Sequence, residues 1–181
     1  MTARAAVFLD RDGVLNHAIM RDGRPYPPST PGEVVILPGV LEAIDALHQA
    51  NLMTVVITNQ PDIARGTARI EDVVAINEVV AAATGVDLVL MCAHDDADEC
   101  DCRKPLPGMI MTAAAEHDID LDRSVMVGDR WRDIAAGQAA GLTTIHVDRG
   151  YDERRPQAPD HVVAELAEAV PWILKTIAQG A

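Results

Sequence analysis

Four short stretches carry side chains suited to handling a phosphoryl group. Asp10 and Asp12 lie two apart in FLDRDGVLN, Thr58 and Asn59 stand in ITNQ, Lys104 sits in CRKP, and Asp129 and Asp133 share VGDRWRD. Each piece alone reads as turn or helix-start chemistry. Their conjunction is harder to explain that way. Asp10, Asp12, Asp129 and Asp133 gathered in one place would repel one another without a cation, and hard oxygen ligands beside a phosphate suit Mg²⁺. With a hydroxyl and a lysine added, the set predicts phosphoryl transfer. The metal and Lys104 would neutralise the phosphoryl oxygens, Thr58 would donate a hydrogen bond, and one aspartate would attack phosphorus.

A second set lies in CAHDDADECDCRKP (92–105), which holds every cysteine of the chain. An odd number of thiols in a chain expected to be cytoplasmic argues against a disulfide framework. A redox switch leaves His94 idle, and unconnected cysteines would prefer the core to a segment rich in Asp and Glu. Cys92, His94, Cys100 and Cys102 supply three thiolates and an imidazole, a full tetrahedral set for structural Zn²⁺.

These residues need elements to position them. Apolar, β-branched runs at 5–9, 53–58, 86–92, 124–128 and 143–147 read as buried strands, and helical spacing occupies 39–50, 70–84, 107–118 and 132–141. The alternation predicts an α/β fold with a mainly parallel sheet between two helical layers, so that strands end in the phosphoryl-handling residues at one edge. The tail (160–178) reads as a short edge strand at 161–163 followed by a helix, with Pro171 opposing one unbroken helix from Asp160. The segment 21–33 reads as a proline-stiffened loop and 151–160 as a solvated connection.

Length bounds the rest. At 181 residues one domain (1–181) is expected, and 49% hydrophobic with 3% aromatic residues calls for an aliphatic core. The net charge of −13 disfavours nucleic acid and anionic membrane surfaces as partners. Neither a signal-peptide apolar region nor a run of ~20 apolar residues is found, which predicts a soluble, cytoplasmic protein.

In their order on successive strands, DRDGVLN, TNQ, RKP and VGDRWRD resemble the four motifs of the haloacid dehalogenase (HAD) superfamily of phosphatases, from about Ala5 to about Gly150. The resemblance implies a three-layer αβα Rossmann-like HAD fold. It also implies that Asp10 is the nucleophile that becomes an aspartyl-phosphate and that Asp12 is general acid, then base. Mg²⁺ would be held by Asp10, the backbone carbonyl of Asp12 and Asp129, with Asp133 in support. Thr58 and Lys104 would stabilise the transferring group.

The spacing between motifs leaves no room for a cap domain, so residues 17–31, the turn after Gln60 and the cysteine loop (92–102) are expected to close over the substrate. C-x-H followed by C-x-C-R-K-P-x-P-G-M resembles the capless, zinc-bearing branch that contains heptose 1,7-bisphosphate 7-phosphatases and histidinol-phosphate phosphatases. That branch implies a small phosphorylated metabolite, first a heptose bisphosphate and next histidinol phosphate, handled by a monomer; the non-enzymatic reading is a silent zinc-bearing binding protein. Arg103 maps onto an arginine that recognises substrate and could hold the second phosphate as a fork. Asn59, Gln60, Arg65 and Arg130 are further expected substrate contacts, with His17 nearby, while Trp131 and Trp172 read as packing. Pro61-Asp62, Asp95 and Arg130 depart from the branch's usual residues.

Overall fold

The computed structural model describes residues 3–179. In chain order the elements are β1 (Ala6–Leu9), β2 (Ile19–Arg21), β3 (Arg24–Tyr26), α1 (Val40–Gln49), β4 (Met53–Asn59), α2 (Ile70–Thr84), β5 (Leu88–Cys92), α3 (Gly108–His117), β6 (Val125–Gly128), α4 (Trp131–Ala139), β7 (Thr143–Val147), β8 (His161–Val163) and α5 (Leu166–Gln179). Among the described residues, six strands form one parallel sheet in the order β5-β4-β1-β6-β7-β8. The chain leaves the central strand β1 toward one edge and returns to build the other. This order creates a switch point beside β1, where open α/β sheets bind ligands beyond their strand ends.

The unbroken apolar character of the strands follows from burial on both faces. Successive residues of β1 alternate: Val7 and Leu9 pack with Leu47 of α1 and Ile173 of α5, whereas Ala6 and Phe8 pack with Ile110 of α3 and Ala136 of α4. Gly137 of α4 lies so close to Met126 and Thr144 that a β-carbon there would crowd both. The expected α/β architecture is therefore present, and each expected strand falls within two residues of its run. No helix among the described residues is long and apolar enough to cross a membrane.

One local expectation is corrected. Residues 21–33 are not simply a loop: β2 and β3 form an antiparallel hairpin, with Arg21 opposite Arg24. Asp22 (φ 50°) and Gly23 (φ 74°) both take left-handed backbone, as a two-residue type I′ turn requires. An Asp-Gly pair was the available signal, masked by the prolines that follow. In the tail the expected edge strand is β8 and the expected helix is α5, which starts at Leu166 and contains Pro171 beyond its first turn. The proline deprives the Ala167 carbonyl of its helical partner, which costs about 3 kcal/mol. Burial of Leu166, Ala169, Ile173 and Ile177 against the sheet opposes that cost, and Trp172 stacks on His161 of β8 with ring centroids 3.9 Å apart.

Candidate active site

Asp10 follows β1 directly, and its N–H donates to the Val127 carbonyl at 3.0 Å, so its backbone is fixed by the sheet. The Lys104 ammonium reaches across β4 to it. Lys104 Nζ lies 2.6 Å from Asp10 Oδ1 and 2.7 Å from Asp133 Oδ1, and it donates to the Ile57 carbonyl at 2.7 Å. All three charged groups are buried. Burial alone would lower the pKa of Lys104, but Asp10 and Asp133 outweigh it and hold the ammonium charged above its ordinary range. Burial raises the carboxyl of Asp10, against the opposing pull of Lys104.

Asp129 completes this group. Gly13 (φ 86°) has no room for a side chain, because a β-carbon would occupy the place of the Asp129 carboxylate, with the Tyr151 hydroxyl also close by. Gly128 likewise admits the side chain of Asp133. Both oxygens of Asp129 are buried without a hydrogen-bond partner among the described residues; the Tyr151 hydroxyl stands near but outside hydrogen-bonding geometry. Burial, then the charges of Asp10 and Asp133, push the Asp129 carboxyl well above the usual carboxylate range. Carboxylate oxygens of Asp10, Asp129 and Asp133 lie within 4.8 Å of one another. With three acids and one lysine, the cluster fits a hard divalent cation, which would give the orphaned Asp129 oxygens a partner.

Asp12 is held by four donors. Arg11, fully buried, forks onto it through Nε (3.2 Å) and Nη2 (2.9 Å), Asn16 Nδ2 donates at 2.9 Å and Gln60 Nε2 at 3.1 Å. Arg11 is itself anchored on Asn77 of α2 at 2.7 Å. Gln60 also donates to Thr58 Oγ1 at 2.9 Å, which orients that hydroxyl. Asn59 grips the Lys104 backbone at two points: its Nδ2 donates to the Lys104 carbonyl at 2.9 Å and its Oδ1 accepts from the Lys104 N–H at 3.1 Å.

The cysteine segment forms a second cluster beside the tip of β5. Cys102 Sγ lies 3.1 Å from Cys92 Sγ and 3.4 Å from Cys100 Sγ, with Cys92 and Cys100 3.7 Å apart. His94 Nδ1 is 3.3 Å from Cys102 Sγ and 3.7 Å from Cys92 Sγ. None approaches the ~2.05 Å of a disulfide, whereas bonds of ~2.3 Å in a tetrahedron place sulfurs about 3.8 Å apart. The four residues fit a tetrahedral metal. Without one, burial and then the neighbouring sulfurs push the Cys102 thiol up. Asp95 caps the short turn at Asp96–Asp98 and receives a fork from Arg65, at 2.7 Å (Nε) and 2.8 Å (Nη2). The Arg65 bonds hold Asp95 at a pKa of about 2.

An open cleft of about 240 Å³ lies over the acidic cluster. Asp10, Asp12, Thr58, Asn59, Lys104, Asp129 and Asp133 line its floor, and Pro61, Asp62, Arg65 and Arg130 stand around it, as does the hairpin through Arg24 and Tyr26. Gln60, Arg103 and His17 do not line it. Gln60 is used up on Asp12 and Thr58. The Arg103 guanidinium turns into the cysteine loop, donating to Asp96 Oδ1 at 2.8 Å and the His94 carbonyl at 3.3 Å. Residues 151–160 are more than a solvated connection: Tyr151 backs Asp129, and Glu153 accepts from Arg130 Nε at 3.0 Å. Trp131 carries Arg132 and Arg154 over its ring, at 4.7 and 4.3 Å from the centroid. Arg24, Tyr26 and Tyr151 were missed from the sequence because each reaches the site through an element with no motif, and Arg132, inside VGDRWRD, was passed over for the aspartates on either side of it.

The HAD-hydrolase-like family model matches residues 101–169. This chain belongs to the HAD-like hydrolases, in the branch of the heptose-bisphosphate phosphatases. It is 35% identical to the D-glycero-D-manno-heptose-1,7-bisphosphate 7-phosphatase of Thermosynechococcus vestitus, over 97% of this chain and 98% of that one. It is 40% identical to the D-glycero-beta-D-manno-heptose-1,7-bisphosphate 7-phosphatase of Bordetella bronchiseptica, with 80% of each chain covered. The crystal structure of the B. bronchiseptica D,D-heptose 1,7-bisphosphate phosphatase, complexed with magnesium and phosphate, superposes with a TM-score of 0.80 at 35% identity, covering 94% of this chain and 98% of that one.

Proposed function

We propose that this protein is a phosphomonoester hydrolase that removes the 7-phosphate of D-glycero-D-manno-heptose 1,7-bisphosphate, the beta anomer first. The observation that carries the chemistry is the pair of buried, unpartnered Asp129 oxygens beside Asp10 and Lys104 at the cleft floor. The substrate comes from the relatives' names.

Asp10 is the nucleophile: its carboxylate oxygen forms a bond to phosphorus as the ester P–O bond breaks. Asp12 gives its proton to the departing sugar oxygen. Asp12, again a carboxylate, takes a proton from water, whose oxygen then attacks phosphorus and releases Asp10 and inorganic phosphate. Thr58 donates to a phosphoryl oxygen, while Lys104 supplies fixed positive charge at the same centre. Asp10, the Asp12 backbone carbonyl and Asp129 hold Mg²⁺; Asp133, engaged by Lys104 and the Arg130 N–H, supports them. Bound there, Mg²⁺ supplies charge neutralisation of the phosphoryl oxygens. Cys92, His94, Cys100 and Cys102 hold structural Zn²⁺, leaving no ligand position for water. Asn59, Arg65 and Arg130 line the cleft that would receive the substrate, and Arg103, next to the zinc loop, braces that loop through Asp96 and the His94 carbonyl.

Phosphate release with Mg²⁺, measured on both heptose bisphosphate anomers and on histidinol phosphate, tests this reading. Turnover is expected on the heptose bisphosphates and not on Asp10→Asn protein. A higher kcat/KM on histidinol phosphate would overturn the substrate, and undiminished activity in Asp10→Asn would overturn the mechanism.

A further inference from the structure

We propose that Arg24, at the start of β3, holds the second, non-reacting phosphate, so that the β2–β3 hairpin is the element that selects a doubly phosphorylated substrate; this rests on the phosphatase reading above. The cations that line the cleft are Arg24, Arg65, Lys104, Arg130 and Arg132. Four are already committed to carboxylates: Arg65 to Asp95, Lys104 to Asp10 and Asp133, Arg130 to Glu153, and Arg132 to Asp96 at 3.4 Å. Arg24 makes no ion pair among the described residues. Arg103, the other candidate fork, is 8% exposed and spent on Asp96 and His94.

The hairpin supplies a second, independent observation. Arg21 and Arg24 face each other across a ladder of three residues per strand. So short a pair of strands is marginal, and like charges placed directly opposite weaken it further. Arg21 turns onto the Tyr26 ring, 5.4 Å from its centroid, which leaves Arg24 to the cleft. An anion bound by Arg24 relieves the repulsion and orders the hairpin together. The wall itself suits the task. Arg24, Pro25, Tyr26 and Pro27 line the cleft without a carboxylate, in contrast to the acidic floor, so a dianion far from Lys104 meets least repulsion there. The prolines fix φ on either side of Tyr26 and limit the freedom lost on closure. A guanidinium offers a phosphate two parallel N–H donors, which an ammonium cannot.

The test compares kcat/KM on the heptose 1,7-bisphosphate with kcat/KM on the heptose 7-phosphate, both with saturating Mg²⁺, in wild type, Arg24→Gln and Arg24→Lys. The ratio of the two measures preference for the second phosphate. Wild type should prefer the bisphosphate, and Arg24→Gln should cut that preference about 10–100-fold, the scale of a lost hydrogen-bonded charge contact. The loss should lie in KM, with Arg24→Lys restoring part of it. An unchanged ratio in Arg24→Gln, or a wild type without preference, overturns the role of Arg24 while leaving the phosphatase standing. Absence of turnover on either compound by wild type instead brings down the phosphatase reading and this proposal with it.

Discussion

Two clusters among the described residues have side chains placed as a metal site would need them, and they are assembled in opposite ways. The acidic one is assembled from Asp10 and Asp129 just beyond β1 and β6, Asp133 in the first turn of α4, and Lys104 from the segment between β5 and α3, parts of the chain far apart in sequence that the sheet brings together. It opens into a cleft. The cysteine cluster is assembled from residues 92–102, closes on itself and does not line the cleft. An open set of hard oxygens can share its cation with a substrate, whereas a closed set of thiolates and imidazole can only fasten chain to chain. What the second fastens is the segment that delivers Lys104 to the first.

The comparison can be broken from either side, and the largest effect is expected from the open site. Asp10→Asn should lower kcat by about 10⁴-fold or more, the scale of losing a nucleophile, and Asp12→Asn by about 10²–10⁴-fold, the scale of general acid–base catalysis; circular dichroism should show both folded. Removing the closed site's metal, by chelation or by Cys102→Ser, should lower both melting temperature and activity with Mg²⁺ saturating, by about 10–100-fold in kcat/KM. Full activity in zinc-free protein would uncouple the clusters. Asn59→Leu should come next: it removes two hydrogen bonds to the Lys104 backbone, together about 2 kcal/mol or roughly 30-fold, without touching a metal ligand. Arg65→Ala unfastens the turn after Gln60 from the cysteine loop across a half-exposed ion pair, so kcat/KM should fall by no more than about fivefold, and less at high salt.

The smallest effect lies away from both clusters. Asp87 accepts from the Thr54 N–H at 2.8 Å and from its hydroxyl at 2.9 Å. Burial would raise its pKa, but the Thr54 bonds and His48 lower it overall. A carboxylate with a lowered folded pKa adds stability above its ordinary value of 3.8, and that stability is lost as pH falls through the folded pKa. The melting-temperature gap between wild type and Asp87→Asn should therefore be open at pH 7 and narrow as pH falls below 3.8. A gap independent of pH would deny Asp87 that role.

Legibility from sequence followed the same division. The gathering of Cys92, His94, Cys100 and Cys102 was readable outright because the four residues are neighbours in the chain. Asp10 and Asp129 were readable because an apolar run announces each strand and the sheet's geometry places strand ends together, and Lys104 because it follows the cysteine segment in the RKP motif. Arg103 reads like a cleft residue by its position beside Lys104, yet the side chain turns the other way, toward Asp96. Arg103 and Lys104 lie in an irregular turn, where no periodicity says which side chain the cleft receives. Asn77, Tyr151 and Glu153 reach the site from a helix face and a connecting strap with no periodic or motif signal. The hairpin was hidden by its prolines, although Asp22-Gly23 announces it.

The place of β1 at the middle of the sheet has a consequence for how this molecule comes apart. Its amides, paired on both sides, should belong to the part that exchanges with deuterium last, whereas β2 and β3 pair only with each other and should open early. If the nucleophile rides on the most persistent strand and the discriminating arginine on the least, then under rising urea the protein should become indiscriminate before it becomes inactive.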